Sequence, residues 1–145
     1  MILFVDTSAL VKLYIAEPGS ERMQAAVADG ERAATTPLTY AEIHATFARR
    51  GREGLLQPDE LDRLRQQFAE DWDELLRVPT LDGVLALVPG LCARHPLRGA
   101  DALQLASALL LRQEGLEVAF ACADRALLGA AAGEGLAVFD PLSES

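Results

Sequence analysis

The chain has 145 residues, half of them hydrophobic and 24% charged, which suits one globular domain over 1–145 with a single core and leaves no room for a second. No apolar run reaches transmembrane length and no charged leader with an apolar core precedes the first strand pattern, so a soluble cytoplasmic protein with no membrane contact is expected. A net charge of −9, with Lys12 the only lysine, is awkward for a nucleic-acid binder, which usually shows a basic surface, without excluding one.

Residues 2–5, Ile-Leu-Phe-Val, form an uninterrupted apolar run of the kind that is buried on both faces of a parallel sheet. The run stops on Asp6 and passes through Thr7 and Ser8 into a helix expected over 8–16. Asp6 therefore lies at the carboxyl edge of the sheet, where open α/β sheets bind ligands. It is equally a good helix N-cap. A second helix is expected over 19–29 and a second strand over 32–35, followed by a Thr36-Pro37 start signal and a helix over 38–50 that carries Glu42. Glu42 stands three residues after Thr39, the spacing of a capping box.

The stretch from Gly51 to Pro58 is the most loop-like in the chain and too short to link domains. A helix is expected over 58–76, in which Glu70-Asp71-Trp72-Asp73-Glu74 reads as a solvated face with Trp72 turned inward. The next helix, 80–95, contains Pro89-Gly90 and should be kinked or split there. Asp101 falls in the first turn of an Ala/Leu-rich helix over 99–114, where a carboxylate also favours the positive end of the helix dipole. A buried strand over 118–122 leads to Asp124, a cap or a site acid like Asp6, and then to a helix over 125–133 and a last strand over 136–139. This order describes a parallel α/β sandwich.

Each of the four acids has a purely structural reading. Jointly those readings explain less, because in a parallel sheet the helices that follow successive strands start along one edge, so Asp6, Glu42, Asp101 and Asp124 can converge. Clustered carboxylates repel and raise one another's pKa unless a cation neutralises them, and oxygen donors suit a hard cation such as Mg²⁺ or Mn²⁺. Cys92 and Cys122 lie in apolar patterns without metal-ligand spacing and read as buried free thiols. His44 and His95 read as surface or packing residues, and no Ser-His-Asp or Cys-His set is present. Arg49, Arg50 and Arg52 end the Glu42 helix, where they either complement the dipole or offer planar forks to phosphate. Arg98, three residues before Asp101, is a candidate phosphate contact.

Four ordered motifs carry a family resemblance: Phe4-Val5-Asp6-Thr7-Ser8-Ala9-Leu10; Thr39-x-x-Glu42; Leu97-Arg98-x-x-Asp101-Ala102-x-x-Leu105-Ala106; and Ala123-Asp124-x-x-Leu127 followed by Gly135-Leu136-x-Val138. The chain resembles PIN domains, specifically the small VapC-type toxin ribonucleases of toxin–antitoxin pairs. The resemblance implies a PIN-like three-layer α/β/α sandwich with a central, mostly parallel sheet. It also implies a metal-dependent endoribonuclease whose acidic site matches Asp6, Glu42, Asp101 and Asp124, with Ser8 supporting them by hydrogen bonding. Asp6 and Asp101 are expected as direct ligands of Mg²⁺ or Mn²⁺, with Glu42 and Asp124 acting through water or a second ion. RNA as substrate, a small VapB-like antitoxin seated in a groove near the Gly51–Pro58 loop, and a homodimer follow from the same resemblance.

Two other classes compete. A haloacid-dehalogenase-type phosphatase needs a second Asp two residues after the first, and Ser8 stands there instead. A non-catalytic PIN-like RNA-binding or scaffold module would typically lack one or more site acids, and all four are present.

Overall fold

The apolar run at the start of the chain forms strand β1 (Ile2–Val5) at the centre of a five-stranded sheet. The structure, a computed structural model, describes residues 1–30 and 32–143. The other strands are β2 (Arg32–Thr35), β3 (Leu76–Arg77), β4 (Val118–Ala121) and β5 (Ala137–Phe139), in the spatial order β3-β2-β1-β4-β5 and all parallel. In the register, Ile2 stands opposite Arg32 on one side and Val118 on the other.

Alternation along the strands divides the apolar residues between two cores. Phe4, Val118 and Phe120 face one side, where the Phe4 and Phe120 rings stack with centroids 5.5 Å apart. Over them pack α5 (Asp82–Leu85), α6 (Val88–Arg94), α7 (Gly99–Gln113) and α8 (Arg125–Gly133), through Val84, Leu91, Leu105 and Leu127. Leu3, Val5 and Ala121 face the other side. There they meet α1 (Thr7–Leu10), α2 (Ser20–Asp29), α3 (Pro37–Arg52) and α4 (Pro58–Glu74), through Leu10, Met23, Ile43, Phe47 and Phe68. The result is a three-layer α/β/α sandwich. Phe4, Phe47, Phe68 and Phe120 are wholly buried, each worth about 1.5–3 kcal/mol against exposure.

Chain order explains where a ligand can enter. The first three strands step outward from β1 in one direction and the last two step outward in the other, so the sheet switches direction between β1 and β4. Their carboxyl ends flank the crevice that such a switch leaves. Asp6 ends β1, Asp124 follows β4, and α3 and α7 both begin at this edge.

Several elements differ from expectation. The first helix is only the single turn α1, continued by a 3₁₀ turn over Val11–Leu13. Lys12 is buried there, and its Nζ donates to Glu17 Oε1 at 2.9 Å and to the Pro18 carbonyl at 2.7 Å, pinning the loop ahead of α2. The helix expected to reach residue 76 ends at Glu74, because Leu76 and Arg77 pair with Ala34 and Thr35 as β3. The 80–95 helix is split at Ala86-Leu87, just ahead of Pro89, which sits in the first turn of α6, where a missing N–H leaves no bond unmade. Cys122 is buried, but Cys92 is exposed on α6. Trp72 is half-buried against Tyr40 and Phe68, with the Arg77 guanidinium over its ring. His44 packs among Tyr40, Phe47 and Phe68, and His95 Nε2 lies 2.6 Å from Glu134.

Candidate active site

A cavity of about 370 Å³ opens at the carboxyl edge of β1 and β4, and Asp6, Ser8, Glu42, Asp101 and Asp124 all line it. Every acid singled out in the sequence is thus brought to one place, each from a different segment of chain.

Asp6 is the most constrained. It caps α1, with Oδ1 accepting from the Ala9 N–H at 3.0 Å and from the Ser8 hydroxyl at 2.7 Å. Ser8 Oγ in turn accepts from the Ala123 N–H at 2.9 Å, tying the end of β1 to the turn after β4. The side chain is buried, and burial pushes the Asp6 carboxyl up to about 6. The Ser8 hydroxyl, the Ala9 N–H and the Cys122 thiol pull it partly back, and the charge on Asp101 pushes it further up. The Cys122 thiol is itself held protonated, first by burial and then by the charge on Asp6. Capping and site placement are therefore one arrangement at Asp6. The same holds at Asp124, whose Oδ1 accepts from the Leu127 N–H at 3.1 Å as the cap of α8.

Glu42 is no capping-box partner of Thr39. The N-cap of α3 is Thr36, with Pro37 in the first turn, so Glu42 lies well inside the helix. Its Oε1 accepts from the Thr7 hydroxyl at 2.7 Å. Asp101, in the first turn of α7, receives Arg98 Nε at 3.3 Å on Oδ2. The remaining oxygens of Glu42, Asp101 and Asp124 accept no hydrogen bond among the described residues.

Behind the acids runs a polar network that the sequence reading missed. Gln104 Nε2 donates to Thr39 Oγ1 at 2.7 Å, the Thr36 hydroxyl donates to Gln104 Oε1 at 2.9 Å, and Thr7 Oγ1 lies 3.2 Å from Thr39 Oγ1. Thr36, Thr39 and Gln104 are all buried. Such groups are costly unless fully paired, and paired they hold α1, α3 and α7 in fixed relation. The one available signal was a Gln inside the Leu/Ala-rich helix 99–114, where an aliphatic residue would serve a plain core.

The side chains along the cavity that could ligate a metal offer oxygen atoms, and among the described residues no histidine or cysteine lines it. That set fits a hard divalent cation. Among the described residues no three Asp, Glu, His or Cys side chains close into a ready-made cage. An ion here would keep much of its water and touch one or two carboxylates, which is how Mg²⁺ is commonly bound.

The family model of the PIN domain matches residues 3–128, a span that contains all four acids and Ser8. Ribonuclease VapC45 of Mycobacterium tuberculosis (strain CDC 1551 / Oshkosh) is 35% identical over 119 residues, covering 81% of this chain and 82% of that protein. In fold, the chain is similar to FitAcB from Neisseria gonorrhoeae, with a TM-score of 0.69 at 22% identity over 97% of this chain and 98% of that one. It is also similar to a toxin–antitoxin complex from Klebsiella pneumoniae, with a TM-score of 0.67 at 18% identity and the same coverage. By the match over most of its length, the chain belongs to the PIN domain family.

Proposed function

We propose that this protein is a Mg²⁺- or Mn²⁺-dependent endoribonuclease and the toxin half of a toxin–antitoxin pair. The observation that carries the reading is the meeting of four carboxylates from four segments in one cavity, with Asp6 buried and, among the described residues, no cationic side chain bonded to it. The relative named a ribonuclease, at 35% identity, supports the chemistry.

Asp6 and Asp101 would hold the cation directly, and Glu42 and Asp124 through water or a second ion. When bound, the cation supplies a water of lowered pKa and offsets the charge that builds on the phosphate oxygens. Around it the chain's own residues fix geometry. Ser8 and the Ala9 N–H orient Asp6, Thr7 orients Glu42, and the Leu127 N–H orients Asp124. The Thr36–Gln104–Thr39 network keeps α3 and α7 from shifting against each other.

One domain over 1–145, a cytoplasmic setting, a homodimer and a small VapB-like antitoxin complete the proposal. Among the described residues no helix is long and apolar enough to cross a membrane. The similar fold solved as a toxin–antitoxin complex supports the antitoxin partner.

The test is cleavage of a mixed-sequence RNA by the purified chain. Cleavage should need Mn²⁺ or Mg²⁺, stop with chelator, and be lost in Asp101→Asn. Cleavage that survives chelation would refute the metal-dependent reading. Metal-loaded protein that binds RNA and never cuts it would return the chain to a non-catalytic binding module.

A further inference from the structure

Helix α3 carries a second kind of chemistry along the side that bears Glu42. At 3.6 residues per turn, Thr39, Glu42, Thr46, Arg49 and Arg50 fall within an arc of about 100°. Glu42, Thr46, Arg49 and Arg50 all line the cavity. The helical rise puts the two arginines about 10–12 Å along the axis from Glu42, away from Arg98, the third arginine of the cavity, which is bonded to Asp101 among the acids.

Each guanidinium is in a long ion pair with a carboxylate, without a hydrogen bond to it. Arg49 Nε stands 3.9 Å from Glu53 and Arg50 Nη2 stands 3.7 Å from Glu17, both beyond hydrogen-bond reach. By contrast, Arg94 grips Glu134 with two bonds of 3.0 and 2.9 Å. In a chain with 22 acidic residues against 13 basic ones, these two adjacent arginines bring loosely paired guanidinium groups to the wall of the same cavity as the acids. The helix dipole does not account for their direction. Arg52, in the same last turn, is exposed and does not line the cavity, so a dipole partner need not face inward.

An RNA strand presents phosphates at regular spacing, and the planar fork of arginine matches phosphate oxygens. We propose that Arg49 and Arg50 form a subsite for a phosphate flanking the scissile one, so that the cavity grips a single RNA strand at two points. The proposal rests on the ribonuclease reading above and adds to it a preference for polynucleotides over isolated diesters.

The experiment compares wild type, Arg49→Gln/Arg50→Gln and Arg52→Gln, each first shown by thermal melt to be folded. Binding of a fluorescein-labelled single-stranded RNA is followed by anisotropy in chelator, where no cleavage can occur, over a range of salt. Cleavage is followed with Mn²⁺ on the same RNA and on bis(p-nitrophenyl) phosphate, a diester without a flanking phosphate. The double variant should bind RNA on the order of tenfold more weakly, and its log–log salt slope should be shallower by about 0.7 for each lost phosphate contact. Its kcat/KM should fall on RNA through KM and stay unchanged on the small diester. Arg52→Gln should match wild type throughout.

An unchanged affinity and slope in the double variant overturns the subsite even where cleavage of RNA stands. An equal loss on both substrates, or an equal effect from Arg52→Gln, overturns it as well. If the double variant binds RNA normally but loses a co-purified protein partner, the arginines belong to that partner and the subsite is wrong. A wild type that neither binds nor cuts RNA refutes the ribonuclease reading itself.

Discussion

Asp6→Asn in metal-free protein isolates the cost of the buried carboxylate. The Asp6 pKa is raised from 3.8 to about 6, a difference worth about 3 kcal/mol at 1.36 kcal/mol per unit. Because the folded value lies above the unfolded one, this contribution is fully present below about pH 4 and is lost as the pH rises through about 6. At neutral pH the folded protein therefore carries an ionised group it would be more stable without. Asparagine keeps an oxygen to accept from the Ala9 N–H and the Ser8 hydroxyl, at a loss of about 1 kcal/mol for exchanging a charged acceptor for a neutral one. The net gain is about 2 kcal/mol above pH 7, or roughly 4–8 °C in Tm for a chain of this size. Thermal melts in chelator at about pH 4 and about pH 7.5 measure it. The variant should be no more stable than wild type at the lower pH and clearly more stable at the higher. Adding millimolar Mn²⁺ should then raise the wild type by mass action and leave the variant nearly unmoved. A variant less stable at neutral pH, or a difference independent of pH, would refute the view that burial of an ionised Asp6 strains the metal-free fold.

Glu42→Gln keeps an acceptor for the Thr7 hydroxyl, so stability should change by about 1 kcal/mol or less, while RNA cleavage with Mn²⁺ falls sharply; full activity with an unchanged melt would take Glu42 out of the site. Glu134→Gln probes the opposite edge of the sheet. Arg94 first, and then His95, hold the Glu134 carboxyl down at about 2 from an ordinary 4.5, so its contribution is present above about pH 4.5 and lost as the pH falls through about 2. Because Arg94 is more than half exposed, screening reduces the loss in Glu134→Gln to about 1 kcal/mol at neutral pH, and melts at neutral and strongly acidic pH should show the gap closing. Finally, co-expression with a cognate small VapB-like antitoxin should yield a complex in which a basic side chain of the partner occupies the acidic cavity and suppresses cleavage; an active, unbound chain in that co-expression would count against the antitoxin.

The buried strands were legible because 2–5 and 118–121 are apolar without interruption, and the acids were legible because two of them stop such runs at the same edge. What escaped the sequence lay where local pattern and tertiary pairing disagree. Leu75 and Leu76 extend the apolar stripe of α4, yet Leu76 and Arg77 pair with β2; a two-residue strand has no period to read. Thr39 and Glu42 match the spacing of a capping box, but Pro37 moves the helix start to Thr36 and frees Glu42 for the cavity. The bond from Gln104 to Thr39 joins residues 65 apart, and no local signal reports which distant hydroxyl a buried amide will meet. Cys92 shows the reverse error, an apolar residue in an apolar run that nevertheless sits on the outer face of α6.

Lys12 offers a practical handle. It is the only lysine in the chain, and its ammonium is buried against Glu17 and Pro18. An acylating reagent can reach that amine only when the segment from the end of α1 to the start of α2 detaches from the body. The rate at which a single acyl mass is added to Lys12 would then report the local opening of that segment, separately from global unfolding. One residue thus serves as a built-in clock for the stretch of chain that follows Asp6 and Ser8.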